Sequence, residues 1–355
     1  MYKYDYLVYI GRFQPFHNGH LQVVREALKL TKHLIILVGS ANSSRNPRNP
    51  FTFVERSVSI DTAIFEDNRD RGNDYSIRPI NDNPYNDNRW LVDVQSTVGY
   101  TIGHRRDDVS KCKIGIIGFA KDHTSDYLNW FPNWTPEIIP VQFSAHNSSD
   151  IRKQYFDPFF RLPTTDHCPQ AVVTFLSNFV NDPEFKWIID YKNQDQKDFN
   201  IYGPGPFLCS DAVVVQNGHI LLVTRGNHPG KGQLALPGGH LDPKETLRDC
   251  AVRELKEETN IKDSKGRIPK GRLISFIDKR KTKVYDHPER STGPRKVTEA
   301  FYFDLPYTSG DLYQVDGLDD AEKATWYPLG SFRASDFFSD HAFIIMDQLG
   351  ITMKD

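Results

Sequence analysis

The sequence is short of cysteine, shows no bias in charge and has no long apolar run, and each shortage removes a class of protein. Four cysteines, Cys112, Cys168, Cys209 and Cys250, are scattered over 355 residues without CxxC spacing, which suggests neither a zinc site nor a disulfide framework. Reduced, buried thiols of a cytosolic protein are the expectation. Lysine plus arginine number 44 against 46 aspartate plus glutamate, so the basic excess of a general nucleic-acid binder is missing. Nucleotides stay open, because they need only a local cluster of donors. No apolar stretch approaches membrane-spanning length, and the opening MYKYDYLVYIGRF lacks the charged-then-apolar order of a signal peptide. The expectation is a cytoplasmic protein with no membrane anchor and no nucleic-acid partner, and a homo-oligomer is compatible with it. Internal repeats and low-complexity tracts are missing too.

What is present suffices for two cores. The chain has 38% hydrophobic and 12% aromatic residues, and its length exceeds one average domain. In the first half, apolar runs at Tyr6–Ile10, Leu34–Val38, Cys112–Phe119 and Ile138–Phe143 alternate with helical patterns over 19–32 and 169–190. That alternation predicts an α/β parallel sheet of the Rossmann-like kind, whose ligands bind at the carboxyl ends of strands, where Gly11, Gly39 and Gly118 fall. Residues 65–90 are polar and turn-rich and read mainly as loops. Residues 191–206, ending Gly-Pro-Gly-Pro, read as a linker between a domain at 1–190 and another at 207–355. The second half reads as α+β. It has strands at 211–215, 219–224, 271–277 and 297–304, a hairpin at Gln216-Asn217-Gly218 and one helix near 244–258.

Two stretches carry chemistry. The first, GRFQPFHNGH at 11–20, follows an apolar strand and opens a helix. A helix N-terminus offers unpaired N–H groups to phosphate, and His17, His20 and Arg12 add donors there. The arrangement suits nucleotidyl transfer by positioning and charge stabilisation, with no covalent nucleophile. The second is PGGHLDPKETLRDCAVRELKEETNI at 237–261. Residues three and four apart share a helix face, so Glu254, Glu257 and Glu258 gather carboxylates that suit Mg²⁺ or Mn²⁺. Arg253 can orient them, Gly238 and Gly239 permit a close turn whose carbonyl reaches the metal, and Glu245 lies near the helix start.

The first stretch resembles the HxGH nucleotidyltransferases, in particular archaeal-type nicotinamide-mononucleotide adenylyltransferases. Gly39-Ser40-Ala41, Asn49-Pro50-Phe51-Thr52, Glu55-Arg56 and Ser148-Ser149-Asp150-Ile151-Arg152 extend the likeness across 1–185. The resemblance implies that His17 and His20 contact ATP phosphates, that Arg152 holds them and that Ser149 caps its helix. It also implies that Gly11, Arg12, Phe13, Gln14, Gly39, Ser40 and Gly118 line the nucleotide site. Trp90 is as readily a core residue as a platform for nicotinamide, with Asn81 and Asp82 nearby. Lys121 and Asp122 either face ATP or form a solvated loop.

The second stretch is similar to the Nudix box, with Asn260 where the box usually has glycine; asparagine tolerates the left-handed helix end. The resemblance, over about 207–340, implies metal ligation by Glu254 and Glu258 and by the main chain at Gly238. Glu257 would ligate metal or orient water. Arg225, Gly238 and Gly239 would meet the substrate, and Asp319-Asp320-Ala321 with Trp326-Tyr327-Pro328-Leu329 resembles a downstream family segment. Glu299 and Glu322 are further acids, equally at home as surface charges. The pairing of the two resembles bifunctional adenylyltransferase/ADP-ribose pyrophosphatases. It implies ATP, nicotinamide mononucleotide and ADP-ribose as small-molecule partners. Two alternatives are an HxGH enzyme of another substrate, disfavoured by Phe13-Gln14-Pro15-Phe16, and a Nudix-like nucleotide sensor, disfavoured by the complete set of box glutamates.

Overall fold

A computed structural model describes residues 2–67, 75–119, 123–140, 147–157, 159, 161–318 and 321–353. The chain divides into two compact units, Met1–Ile189 and Asp190–Asp355.

The first unit runs β1 (Tyr4–Gly11), α1 (Asn18–Leu30), β2 (Thr31–Val38), α2 (Phe53–Asp67), β3 (Tyr75–Pro79), α3 (Asp87–His104), β4 (Ile114–Gly118), β5 (Thr135–Ile138), α4 (Ser148–Tyr155), α5 (Gln170–Phe179) and the start of α6 (Pro183–Tyr202). The five strands pair in parallel in the order β3-β2-β1-β4-β5. Strand alternation sends Leu7, Tyr9, Leu34 and Ile36 to one face, under Val23, Ala27, Ile60, Ile64 and Leu176. It sends Tyr6, Val8, Ile35 and Leu37 to the other, under Val94, Val98 and Ile102 of α3. Burial on both faces is why these strands read as continuous apolar runs.

The second unit holds β6 (Phe207–Gln216), β7 (His219–Arg225), β8 (Leu234–Ala235), β9 (Gly238–His240), α7 (Leu247–Thr259), β10 (Lys262–Asp263), β11 (Gly266–Arg267), α8 (Lys270–Ser275), β12 (Lys283–Tyr285), β13 (Lys296–Asp304), β14 (Ala321–Pro328) and α9 (His341–Leu349). Its mixed sheet is ordered β12-β13-β6-β7-β14, with β8 on β7 and β9 on β6. Asn217 and Gly218 turn the β6–β7 hairpin with φ of 47° and 73°, the left-handed pair that a two-residue turn demands. Ala251, Val252 and Leu255 of α7 pack on Ala212, Val214 and Leu221 of the sheet.

Several expectations change. Residues 271–277 are mainly helix α8, not strand: Pro269 sets the helix start and Leu273 is fully buried. A short apolar run fits either period, and only its last residue, Ile277, bridges a strand, at Phe303. The 65–90 segment contains β3 and the start of α3; β3 is a half-buried edge, so its pattern is weakly apolar. The strand expected at 138–143 lies at Thr135–Ile138, and 141–143 fall outside the described residues. The expected linker is helix as far as Tyr202, and the unit boundary falls within α6.

Asn260 ends α7 at φ 44°, ψ 36°, and its Oδ1 accepts from Arg267 Nε at 2.7 Å. Replacing it with alanine, which keeps neither the tolerance nor the bond, is expected to cost about 1–2 kcal/mol of second-unit stability. Glycine at 260 should cost less, and chemical denaturation of the two variants checks the order.

Candidate active sites

The first site is assembled where β1 gives way to α1. His17 caps α1: its Nδ1 accepts the Gly19 N–H at 3.1 Å, and His20 Nδ1 accepts the His17 N–H at 3.2 Å. Both rings therefore carry their proton on Nε2. The imidazoles stack with centroids 3.7 Å apart, and Phe13 and Phe16 pack on His20 at 4.9 and 5.5 Å. A Cβ on Gly11 would come within 2.7 Å of the Phe13 ring, so this glycine is required by packing.

The loop is held from three directions. Gln14 donates to the Phe51 carbonyl at 2.9 Å and accepts the Phe51 N–H at 3.0 Å. Arg152 on α4 donates to the Gln14 carbonyl at 2.6 Å and to Ser149 Oγ at 3.1 Å, and Ser148 Oγ donates to the Pro15 carbonyl at 3.1 Å. Arg56, 3% exposed, donates to the carbonyls of Arg12, Gly39 and Ser40 at 2.5, 2.6 and 3.0 Å. Burial lowers its pKa to about 10, which still leaves it charged at neutral pH. Phe13 and Ser40, beside those carbonyls, sit at φ of 51° and 49°. Asp82 accepts the Ser40 N–H and Ser43 Oγ, both at 3.2 Å.

The structure thus gathers His17, His20, Arg152, Gly39 and Ser40 around one strand end, with Gly118 on the neighbouring β4. The Phe13 and Gln14 side chains are buried and engaged internally. Asn147, not Ser149, caps α4: the helix begins at Ser148, so Asn147 holds the extended cap position and its side chain accepts the Asp150 N–H at 2.9 Å. Trp90 packs edge-on to Tyr127 and Trp130, at 6.2 Å from each, in the cluster on the α3 face. Lys121 and Asp122 lie outside the described residues.

The second site surrounds α7. Thr246 caps it, so the helix begins after Glu245, whose carboxylate accepts the Asp242 N–H at 3.0 Å. Arg253 donates to Glu245 at 2.7 Å, Glu254 at 2.8 Å, Glu257 at 3.0 Å and the His240 carbonyl at 3.1 Å. The bond to Arg253 holds the Glu245 pKa below the usual range. Glu258 is different: it is 9% exposed, accepts the Gly238 N–H at 3.0 Å, and burial pushes its pKa up to about 8. Gly239 is as tightly placed, since a Cβ there would lie 2.2 Å from Glu254 Oε1. Arg225 donates to the Pro229 carbonyl at 2.8 Å and lies 4.2 Å from the Phe338 ring centre. Glu299 is half-buried on β13, Glu322 is exposed on β14, and Asp319 and Asp320 lie outside the described residues.

Among the described residues no three acidic, histidine or cysteine side chains already converge as a metal cage. The four-ligand set expected from the sequence is not pre-assembled, because Glu254 and Glu257 are turned onto Arg253. The donor set nonetheless fits a divalent cation. All donors are hard oxygens, Arg253 orients the carboxylates of Glu254 and Glu257, and Glu258 brings its carboxyl to the Gly238 main chain.

Comparison with known proteins matches both halves. The cytidylyltransferase-like family profile covers residues 8–154 and the NUDIX domain profile residues 209–347. A nicotinamide/nicotinic acid mononucleotide adenylyltransferase of Acinetobacter baylyi is 33% identical over 55% of this chain and 97% of its own. An ADP-ribose pyrophosphatase of Methanocaldococcus jannaschii is 34% identical over 44% of this chain and 81% of its own. The chain belongs to the nicotinamide-nucleotide adenylyltransferases and to the Nudix hydrolases. A bifunctional NMN adenylyltransferase/ADP ribose pyrophosphatase of Francisella tularensis superposes with a TM-score of 0.87, at 28% identity, over 98% of this chain and 99% of its own. The same protein is also known complexed with AMP and a Mn ion, with a TM-score of 0.84. The adenylyltransferase unit and the Nudix unit are therefore enzymes, and divalent-metal dependence accompanies the Nudix chemistry.

Sequence reasoning passed over several residues. Arg56 stood within a recognised motif, which said nothing of its bonds to three carbonyls. Asp211, Arg290, Asp340 and His341, which lie behind the Nudix site, carry no local signal at all.

Two outcomes follow from these charges. Arg56→Lys keeps the charge but not the fork, and each buried carbonyl left unpaired costs about 1–3 kcal/mol. The adenylyltransferase unit should lose thermal stability and NAD synthesis while hydrolysis persists. In metal-free protein the raised Glu258 pKa contributes stability that is fully present below the usual carboxylate range and is lost as pH rises through about 8. Melting of the Nudix unit in chelator should fall across that window, and Glu258→Gln should flatten the slope.

Proposed function

We propose that residues 1–190 transfer the adenylyl group of ATP to nicotinamide mononucleotide, giving NAD and pyrophosphate, and that residues 207–355 hydrolyse ADP-ribose to AMP and ribose 5-phosphate. The observation that carries this reading is the superposition, over nearly the whole chain, on a protein described as having both activities. The two site frameworks support it independently.

In the adenylyltransferase site the nucleotide's 5′-phosphate attacks the ATP α-phosphate, and pyrophosphate leaves. His17 and His20 donate from Nε2 to the phosphates, and Arg152 and Arg12 add fixed positive charge. The main chain at Gly11, Phe13, Gln14, Gly39, Ser40 and Gly118, with Ser149 on α4, shapes the ATP pocket, and Trp90 offers an aromatic platform for the nicotinamide ring. In the Nudix site Glu254, Glu258 and the Gly238 main chain would hold a divalent cation, magnesium or manganese. When bound, that cation neutralises the diphosphate and acidifies water. Glu257, the exposed member of the three glutamates, orients the attacking water and takes its proton, while Arg225 draws in the diphosphate. Both reactions operate on cytoplasmic nucleotide pools.

Separate sites give separable losses. His20→Ala is expected to lower the rate of NAD synthesis by about 10²–10³-fold and leave AMP release from ADP-ribose intact. Glu257→Gln should lower hydrolysis by about 10²–10⁴-fold and leave NAD synthesis intact. Loss of both activities from either folded variant would show that the sites are not independent.

A further inference from the structure

Behind the Nudix site lies a buried polar set that the proposed chemistry does not use. Asp211 on β6, Arg290, Asp340 and His341 are 5%, 9%, 5% and 7% exposed. Arg290 forks onto Asp340, with Nε and Nη2 donating at 2.9 and 3.0 Å, and its Nη2 lies 4.0 Å from Asp211 Oδ2. Ser339 Oγ donates to the Arg290 carbonyl. Asp211 Oδ2 accepts from Thr298 Oγ1 at 2.7 Å, and Asp211 Oδ1 sits where a Cβ on Gly238 would come within 2.3 Å of it. His341 follows Asp340 and opens α9; its Nδ1 accepts the Leu236 N–H at 2.9 Å. The Pro237 carbonyl accepts the Ala212 N–H at 2.8 Å.

Leu236, Pro237 and Gly238 are therefore pinned in succession: by His341, by β6, and by Asp211 together with Glu258. Asp211 and Asp340 flank the Arg290 guanidinium in the interior. Such a set is no more stabilising than well-packed apolar residues of the same volume, so stability alone does not account for it. What it secures is the path of three residues that end on a metal-facing main chain.

We propose that His341 and Asp340 are positioning residues for the Nudix metal site: His341 through the Leu236 N–H, and Asp340 through Arg290 and Asp211, hold Gly238 against Glu258. This rests on the reading that Gly238 and Glu258 take part in holding the cation. Neither residue touches substrate. Groups standing behind metal ligands in this way change metal affinity about 10–100-fold when removed.

The test measures Mn²⁺ binding to the full chain without nucleotide, from the paramagnetic resonance signal of the free ion, alongside kcat and KM for ADP-ribose. His341→Leu removes the acceptor, whereas His341→Asn places an amide oxygen near the position of Nδ1. The expected result is Mn²⁺ binding at least tenfold weaker in His341→Leu, near wild type in His341→Asn, and weakened again in Asp340→Asn. NAD synthesis should be unchanged in all three. Wild-type Mn²⁺ affinity in His341→Leu, or equal weakening in His341→Asn and His341→Leu, overturns the proposal. If His341→Leu does not fold, Asp340→Asn decides by the same measure. A wild-type chain that binds no Mn²⁺ at all overturns the metal-site reading itself and the positioning role with it.

Discussion

The adenylyltransferase unit turns on one buried guanidinium. Phe13 and Ser40 occupy left-handed backbone, which costs about 1–3 kcal/mol at each non-glycine residue. Arg56 donates to the carbonyls of Arg12, Gly39 and Ser40, the groups adjoining both positions. Hydrogen bonds from a charged donor contribute about 1.5–3 kcal/mol each, so three of them can offset the strain. In return β1 and β2 end in register: the Gly39 N–H donates to the Gly11 carbonyl at 2.9 Å, and the loop that leaves Gly11 arrives at α1 with His17 in the capping position. Without that stitch the imidazole pair would have no fixed base.

The Nudix unit uses an arginine in the opposite sense. Arg56 binds main-chain carbonyls and so fixes a path, whereas Arg253 binds the side chains of Glu245, Glu254 and Glu257 and so fixes a charge pattern. Glu254 and Glu257, two of the carboxylates that a cation would recruit, are held on the Arg253 guanidinium. Glu258, five residues beyond Arg253 and so off its face of the helix, accepts the Gly238 N–H instead. Glu245, Glu254 and Glu257 are thus tied to one guanidinium, and Glu258, the most buried of these four glutamates, is tied to the main chain.

How much of this the sequence could reveal follows from the range of the forces. The doubly buried strands Tyr4–Gly11 and Thr31–Val38 announce themselves, because burial on both faces permits little but apolar residues. The Asn217-Gly218 hairpin and the Asn260 helix end are legible because left-handed backbone restricts residue type. Strand β3 and helix α8 are not legible. One is a half-buried edge, the other an apolar run too short to show a period, and both are decided by what they pack against. The site residues divide in the same way. His17, His20 and the box glutamates sit within contiguous motifs, while Asp211, Arg290 and His341 come together only through β6, the loop before β13 and α9. No spacing along the chain encodes that meeting.

The near-zero net charge conceals two opposed fields. At the first strand end, two imidazoles and Arg152 present donors to an anion; along α7, carboxylates present acceptors to a cation. Each follows from what its reaction must stabilise. Adenylyl transfer spreads negative charge over phosphates that the protein itself must meet with donors. Diphosphate hydrolysis meets the same charge with a metal, so there the protein must first supply the oxygens that hold one. A chain that handles phosphate in both ways needs local charge of both signs, which a whole-chain count of 44 basic against 46 acidic residues does not reveal.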